Sequence, residues 1–103
     1  LRIYGKGAVE IENMIAENPD LGILLDARLP YTRAEIIWIC RNEMPRKLED
    51  VLARRTRAMV LDARASSAIA PEVAEILARE LKTDRKWAEA QVADYNKLLL
   101  NYL

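Results

Sequence analysis

Apolar residues recur at helical spacing through most of this chain, and the breaks between the runs are marked by proline, glycine and short polar residues. Leu1 to Lys6 reads as a short extended lead, ended by Gly5 and Gly7. From Ala8 to about Glu17, the positions Val9, Ile11, Met14 and Ile15 predict a first helix, which Asn18-Pro19-Asp20 terminates. Leu21 to Pro30 is apolar at Leu21, Ile23, Leu24 and Leu25, but Gly22 and Pro30 leave too short a run for a helix. It is expected to be a packed connector. Thr32-Arg33-Ala34-Glu35 is a capping box: the Thr32 hydroxyl accepts the Glu35 backbone N–H while the Glu35 carboxylate reaches back. Tyr31 and Ile36 flank it in hydrophobic-staple positions. Ile36, Ile37, Ile39 and Cys40 continue the apolar stripe to about Glu43, and Pro45 disfavours helical geometry at Met44.

The next helix is expected to begin near Leu48, with Leu48, Val51, Leu52 and Arg55 on one face and Asp50–Arg54 as an i,i+4 ion pair. A helical pattern resumes from Thr56 with Leu61, Ala65, Ala68 and Ile69 inward, and Pro71 is placed as the first residue of another helix. Val73, Ile76, Leu77 and Leu81 give that helix its stripe. Thr83-Asp84 caps the last helix, with Trp87, Gln91 or Val92, Tyr95, Leu98, Leu99 and Tyr102 inward. No internal repeat or low-complexity segment is visible. The expected fold is all-α, a compact single-domain bundle of about five or six helices spanning 1–103 with short connections.

Composition sharpens this picture by exclusion. A chain of 103 residues, 51% of them hydrophobic, fits one modest core and argues against disorder. Phenylalanine is absent, so aliphatic residues must fill that core. Three glycines and four prolines are too few turn signals for an all-β design. Sixteen basic residues balance sixteen acidic ones, whereas a nucleic-acid module needs a basic excess to displace counterions. No stretch approaches the roughly 20 apolar residues of a membrane-spanning helix, and the N-terminus shows no signal-peptide pattern. The first residue is Leu1 rather than Met, as expected of a piece excised from something longer.

Candidate chemistry is sparse. There is no histidine and a single cysteine, so metal binding would rest on carboxylates alone. Cys40 lies on an apolar stripe without a base to activate it, and reads as a buried, inert thiol. Glu49-Asp50 and the scattered glutamates single out no acid–base pair. Trp38, Trp87, Tyr31, Tyr95 and Tyr102 fall among aliphatics at helical spacing, as core residues do. Leu98-Leu99-Leu100 with Tyr102 and Leu103 exceeds what one helix face buries and is the most partner-like apolar feature. The one dense charged segment is Leu48-Glu49-Asp50-Val51-Leu52-Ala53-Arg54-Arg55-Thr56-Arg57. Glu43, Asp50, Arg54, Arg55 and Arg57 are candidates for an ionic network or for an anion contact, since guanidinium forks match phosphate and carboxylate. Glu43, Glu49 and Asp50 lie near enough to neutralise the arginines within the fold. If exposed, such pairs contribute about 0–1 kcal/mol; if partly buried, losing one partner costs roughly 3–5 kcal/mol.

Pro30-Tyr31-Thr32-Arg33-Ala34-Glu35, Arg41-Asn42-Glu43-Met44, the Leu48–Arg57 run and Leu61-Asp62-Ala63-Arg64 together resemble the C-terminal helical domain of FAD-dependent glycerol-3-phosphate dehydrogenases. The dense match covers about a third of the chain, and Pro71 to Tyr95 extends it loosely. Pro45 stands where that family's pattern usually allows a helix-compatible residue, and Lys47 where a Thr or Ser often caps the next helix. A cap of that kind is worth about 1 kcal/mol.

The resemblance implies a longer flavoenzyme whose N-terminal part binds FAD and glycerol 3-phosphate, produces dihydroxyacetone phosphate and passes electrons to quinone. It implies no catalytic residue and no cofactor bound by this domain, with the flavin-binding part of the same polypeptide as its partner. It also implies a cytoplasmic location, peripheral at the cytoplasmic membrane. The alternative is a helical interaction or homodimerisation module without enzymatic role, acting through the arginines or the Leu98–Leu103 tail. A nucleic-acid-binding domain is the third reading, disfavoured by neutral charge.

Overall fold

Helix-capping signals and proline positions decide where each element begins, and burial decides how the elements assemble. A computed structural model describes residues 7–55 and 58–101, except for the side chains of Arg54, Arg55, Met59 and Val60. Helix α1 spans Gly7–Glu17 and is followed by a 3₁₀ turn at Pro19–Gly22. Strands β1 (Leu24–Asp26) and β2 (Leu29–Thr32) form an antiparallel hairpin in which Asp26 pairs with Leu29 and Leu24 with Thr32. Helix α2 runs over Arg33–Asn42, and a π-helical segment covers Asp50–Arg55. Three helices complete the described residues: α3 (Ala58–Leu61), α4 (Ala63–Glu80) and α5 (Arg85–Leu99). The architecture is helical, as expected, with one small two-stranded addition.

That addition corrects the expectation of a packed connector over Leu21 to Pro30. Asp26 closes the turn by accepting the Arg28 backbone N–H at 2.8 Å and its guanidinium at 2.8 and 2.9 Å. Asp–Arg turn chemistry of this kind substitutes for the glycine-rich turns that usually betray a hairpin.

The capping box is formed as expected. Thr32 Oγ1 accepts the Glu35 N–H, Glu35 Oε1 accepts the Thr32 N–H, and the flanking Tyr31 and Ile36 are both buried. Helix α2 ends at Asn42, and Met44 ahead of Pro45 takes a left-handed φ of 51°, so the chain turns sharply there.

Three expectations about the second half are corrected. Leu81, expected inward with Val73, Ile76 and Leu77, is 38% exposed at the end of α4. The helix drawn from Thr56 does not run through: Asp62 has extended backbone angles and its carboxylate accepts the Ala65 N–H, which starts α4 as a new helix. Ala65 and Ile69 are inward, but Leu61 is 59% exposed and Ala68 lies outside. Pro71 does not open a helix either. It sits inside α4, where its ring is exposed and only the hydrogen bond to the Ser67 carbonyl is forfeited. Burial of nine α4 residues, from Ala65 to Ala78, outweighs that loss. In α1, Val9 points outward while Ile11 is fully buried.

Helix α4 is the centre of the bundle. Its apolar face meets α5 in an antiparallel hairpin turned by Leu81–Asp84, with Asp84 capping α5 through the Trp87 N–H. Tyr95 and Ser66 join these helices through buried hydroxyls that hydrogen-bond each other, so neither is stranded. Leu48, Val51 and Leu52, expected on one face, are all fully buried in the same core. At the other end Gly7 lies under Trp38: a Cβ there would fall 2.4 Å from the indole, so only glycine allows α1 to approach α2 this closely.

Candidate functional site

The arginine-rich run begins where α2 has ended and the chain has turned at Met44. Leu48 starts this element without a serine or threonine cap. The structure supplies the missing acceptors from elsewhere. Asp50 Oδ2 reaches back to the N–H groups of Arg46 (3.0 Å) and Lys47 (3.2 Å), which is the reciprocal half of a capping box. Gln91 Oε1, projecting from α5, accepts the Leu48 N–H at 2.8 Å. Gln91 was expected only as an alternative core position; its role depends on a contact 43 residues away in sequence, for which no local signal exists.

Of the candidate residues, Glu43 is exposed at the end of α2, where its N–H bonds the Ile39 carbonyl at 2.8 Å. Asp50 is committed to two backbone donors. Arg57 and the side chains of Arg54 and Arg55 lie outside the described residues. The π-helical winding of Asp50–Arg55 also changes the geometry on which an i,i+4 pair between Asp50 and Arg54 was expected, because such a turn is wider than an α turn.

Two ion pairs that no local pattern announced join α2 to α4. Arg33 Nε pairs with Glu72, and Arg41 Nε meets Glu80 Oε1 at 2.7 Å. Arg33, Ile37 and Arg41 are spaced by four along α2, as are Glu72, Ile76 and Glu80 along α4. Equal offsets make the two helices parallel here, with complementary side chains matched turn for turn. That matched spacing is the one sequence signal from which the pairing could have been read. Between the ion pairs lies a groove of about 650 Å³, floored by Leu21, Ile37 and Ile76 and edged by the exposed α4 ridge of Pro71, Glu75 and Arg79. Its volume falls within the range of small-ligand and side-chain recesses.

Cys40 is buried beside this face. Loss of solvation, and then the negative charge of Glu80, push its thiol up to about 12, although Arg41 partly opposes them. Such a sulfur stays protonated and is no nucleophile. The aromatics behave largely as core: Tyr31 and Tyr95 are buried and Trp87 packs against the cluster. Trp38 is half-buried, and its Nε1 donates to Glu10 at 2.9 Å. Among the described residues no three His, Cys, Asp or Glu side chains converge as metal ligands do, and no helix is long and apolar enough to cross a membrane. In the carboxy-terminal stretch Leu99 is buried, Leu98 packs on the core and Leu100 is 73% exposed, while Tyr102 and Leu103 lie outside the described residues.

The fold and its charged side chains define a small helical domain in which two described ion pairs tie α2 to α4, a third closes the hairpin turn, and polar caps close helix ends. Comparison with known proteins places it further. Residues 1–91 match the C-terminal domain of alpha-glycerophosphate oxidase, and the chain belongs to that family. Similar full-length proteins include the mitochondrial glycerol-3-phosphate dehydrogenase of Bos taurus, 29% identical over 100 residues, 93% of this chain and 14% of that protein. The mitochondrial protein of that name from Homo sapiens is 29% identical over the same share of each chain. The mitochondrial glycerol-3-phosphate dehydrogenase SDP6 of Arabidopsis thaliana is 35% identical over 82 residues, 80% of this chain and 13% of that protein. The chain therefore spans about one-seventh of the length of the curated relatives it matches. No solved structure matches it.

Proposed function

We propose that the chain is the accessory helical domain of an FAD-dependent glycerol-3-phosphate dehydrogenase, inactive by itself and without a flavin of its own. The parent would oxidise glycerol 3-phosphate to dihydroxyacetone phosphate on its FAD and pass the electrons to quinone. The observation that carries this reading is the family match over residues 1–91, together with relatives that align to nearly the whole chain but to only 14% of themselves. A residue set without histidine and with one deeply protonated thiol supports a supporting role over a catalytic one. In this reading the 103 residues are one folded unit whose main partner is the flavin-binding part of the same polypeptide. The parent would work in the cytoplasm, peripheral at the cytoplasmic membrane, although the named relatives are mitochondrial.

The test compares the parent intact and truncated just before Leu1. Glycerol-3-phosphate-dependent reduction of a soluble dye is measured first, then reduction of quinone in membranes. Retention of dye reduction by the truncated form is the expected result. Flavin co-purifying stoichiometrically with the isolated chain would overturn the accessory reading, and a parent inert towards glycerol 3-phosphate would overturn the enzymatic one.

We propose that Glu43, Asp50, Arg54, Arg55 and Arg57 serve this role as an ionic network or anion contact; Asp50 holds the Arg46 and Lys47 N–H groups ahead of the arginines, and Glu43 is exposed. An anion contact there would make the melting temperature rise with sulfate in the wild type and not in Arg57→Ala.

A further inference from the structure

We infer that the groove between α2 and α4 is the seat on which the larger part of the same polypeptide docks, inserting an apolar side chain over Ile37 and Ile76. The inference rests on the accessory-domain reading above.

The groove has the anatomy of a protein-recognition recess. Its floor is apolar, and Arg33–Glu72 and Arg41–Glu80 stand at its two ends. These end charges neutralise each other, so a partner need not bring a matching charge to avoid stranding one. The ends lie eight helical residues apart, about 12 Å, which admits one or two side chains. An apolar anchor ringed by satisfied polar groups that exclude water is the arrangement that concentrates binding energy at protein interfaces. The exposed Glu75 and Arg79, one turn apart on the outer ridge, add an acceptor and a donor on the side from which a partner would approach.

Tethering selects the occupant. In this reading a C-terminal domain that amounts to 14% of the bovine relative has a far larger neighbour on the amino side of its own chain. Helix α1 runs along α2 from Gly7, under Trp38, to the Asn18 that lines the groove. Eleven helical residues, about 16 Å, separate the amino end of α1 from the groove, with only residues 1–6 of this chain ahead of them. At that distance the effective concentration of the neighbour reaches about the millimolar range, and a narrow recess holds it. A second copy enjoys no such advantage and needs an interface of about 800 Å² per partner.

The experiment uses the full-length parent carrying Arg79→Cys or Glu75→Cys on the ridge, with Lys97→Cys and Glu12→Cys as exposed controls. Maleimide labelling of each variant is followed by mass spectrometry. The two ridge variants are expected to react roughly tenfold slower than the controls, the ratio for a groove covered about nine-tenths of the time. Adding Ile37→Asn should return them to the control rate. A photoactivated cross-linker attached to the new thiol of the Arg79→Cys variant should join the domain to an upstream segment of the same polypeptide. Ridge labelling as fast as the controls would overturn the inference, and so would cross-links that join two copies instead. Glycerol-3-phosphate-dependent dye reduction on the same preparation reports separately on the enzymatic reading, which can fail while the protection stands.

Discussion

Replacing Gln91 by alanine removes the acceptor that closes the Leu48 segment. The Leu48 N–H then loses a 2.8 Å partner, and Leu48 itself is fully buried. Stranding a buried donor costs about 1–3 kcal/mol, and losing a helix cap costs about 0.5–2 kcal/mol. Gln91 is only half-buried, so water reaches part of the space it vacates. A net loss of about 1–1.5 kcal/mol follows from those two ranges, or a melting temperature lower by about 4–8 °C per kcal/mol for a domain of this size. The assay is urea unfolding at neutral pH, read as a change in midpoint at constant m. Gln91→Glu keeps an oxygen acceptor and should recover most of the loss. Asp50→Ala should cost a similar amount, and the double variant less than the sum, because both side chains hold the start of one element. A Gln91→Ala variant as stable as wild type, or a Gln91→Glu variant as impaired as the alanine, would refute the long-range cap.

Three further outcomes are expected. Because burial raises the Cys40 thiol from 9.0 to about 12, its contribution to stability is complete below pH 9 and declines as pH climbs towards 12. The urea midpoint of the wild type should therefore fall over that window more steeply than that of Cys40→Ala, and parallel curves would refute it. The guanidinium and backbone N–H of Arg28 hold Asp26 at about 2, so the hairpin keeps this turn above the ordinary carboxylate range and loses it as pH falls from about 4 through 2. Proton titration by NMR, with Arg28→Ala returning Asp26 to its ordinary value, checks it. Pro71→Ala restores a donor to the Ser67 carbonyl, and should stabilise the protein by about 1–2 kcal/mol after the unfolded chain's gain in freedom is set against it. A destabilised Pro71→Ala in urea would mean that the ring itself is needed beside the groove.

Much of this protein was legible from local chemistry. The capping box at Thr32–Glu35, the stop before Pro45, the Asp84 cap and the inward Leu48, Val51 and Leu52 each depend on neighbours within a few residues, and the chain encodes them directly. The family likeness came from the same short runs. What sequence alone misplaced lay where burial overrode a local rule. Pro71 is read as a helix start by its own preference, yet the apolar face on both sides of it holds α4 in one piece. Leu21 to Pro30 lacks strong strand spacing, yet an aspartate–arginine turn folds it into a hairpin.

The geometry of the candidate site and of the groove was decided only in three dimensions. A residue's own sequence neighbourhood determines whether it can cap, kink or bury, because those interactions close within one helical turn. Which helix receives Gln91, or which glutamate answers Arg33 and Arg41, depends on side chains 39 to 43 positions away. Packing around α4 brings those residues together, since only the assembled apolar faces fix how one helix lies against the next. The groove between α2 and α4 is a product of that packing and exists in no segment alone.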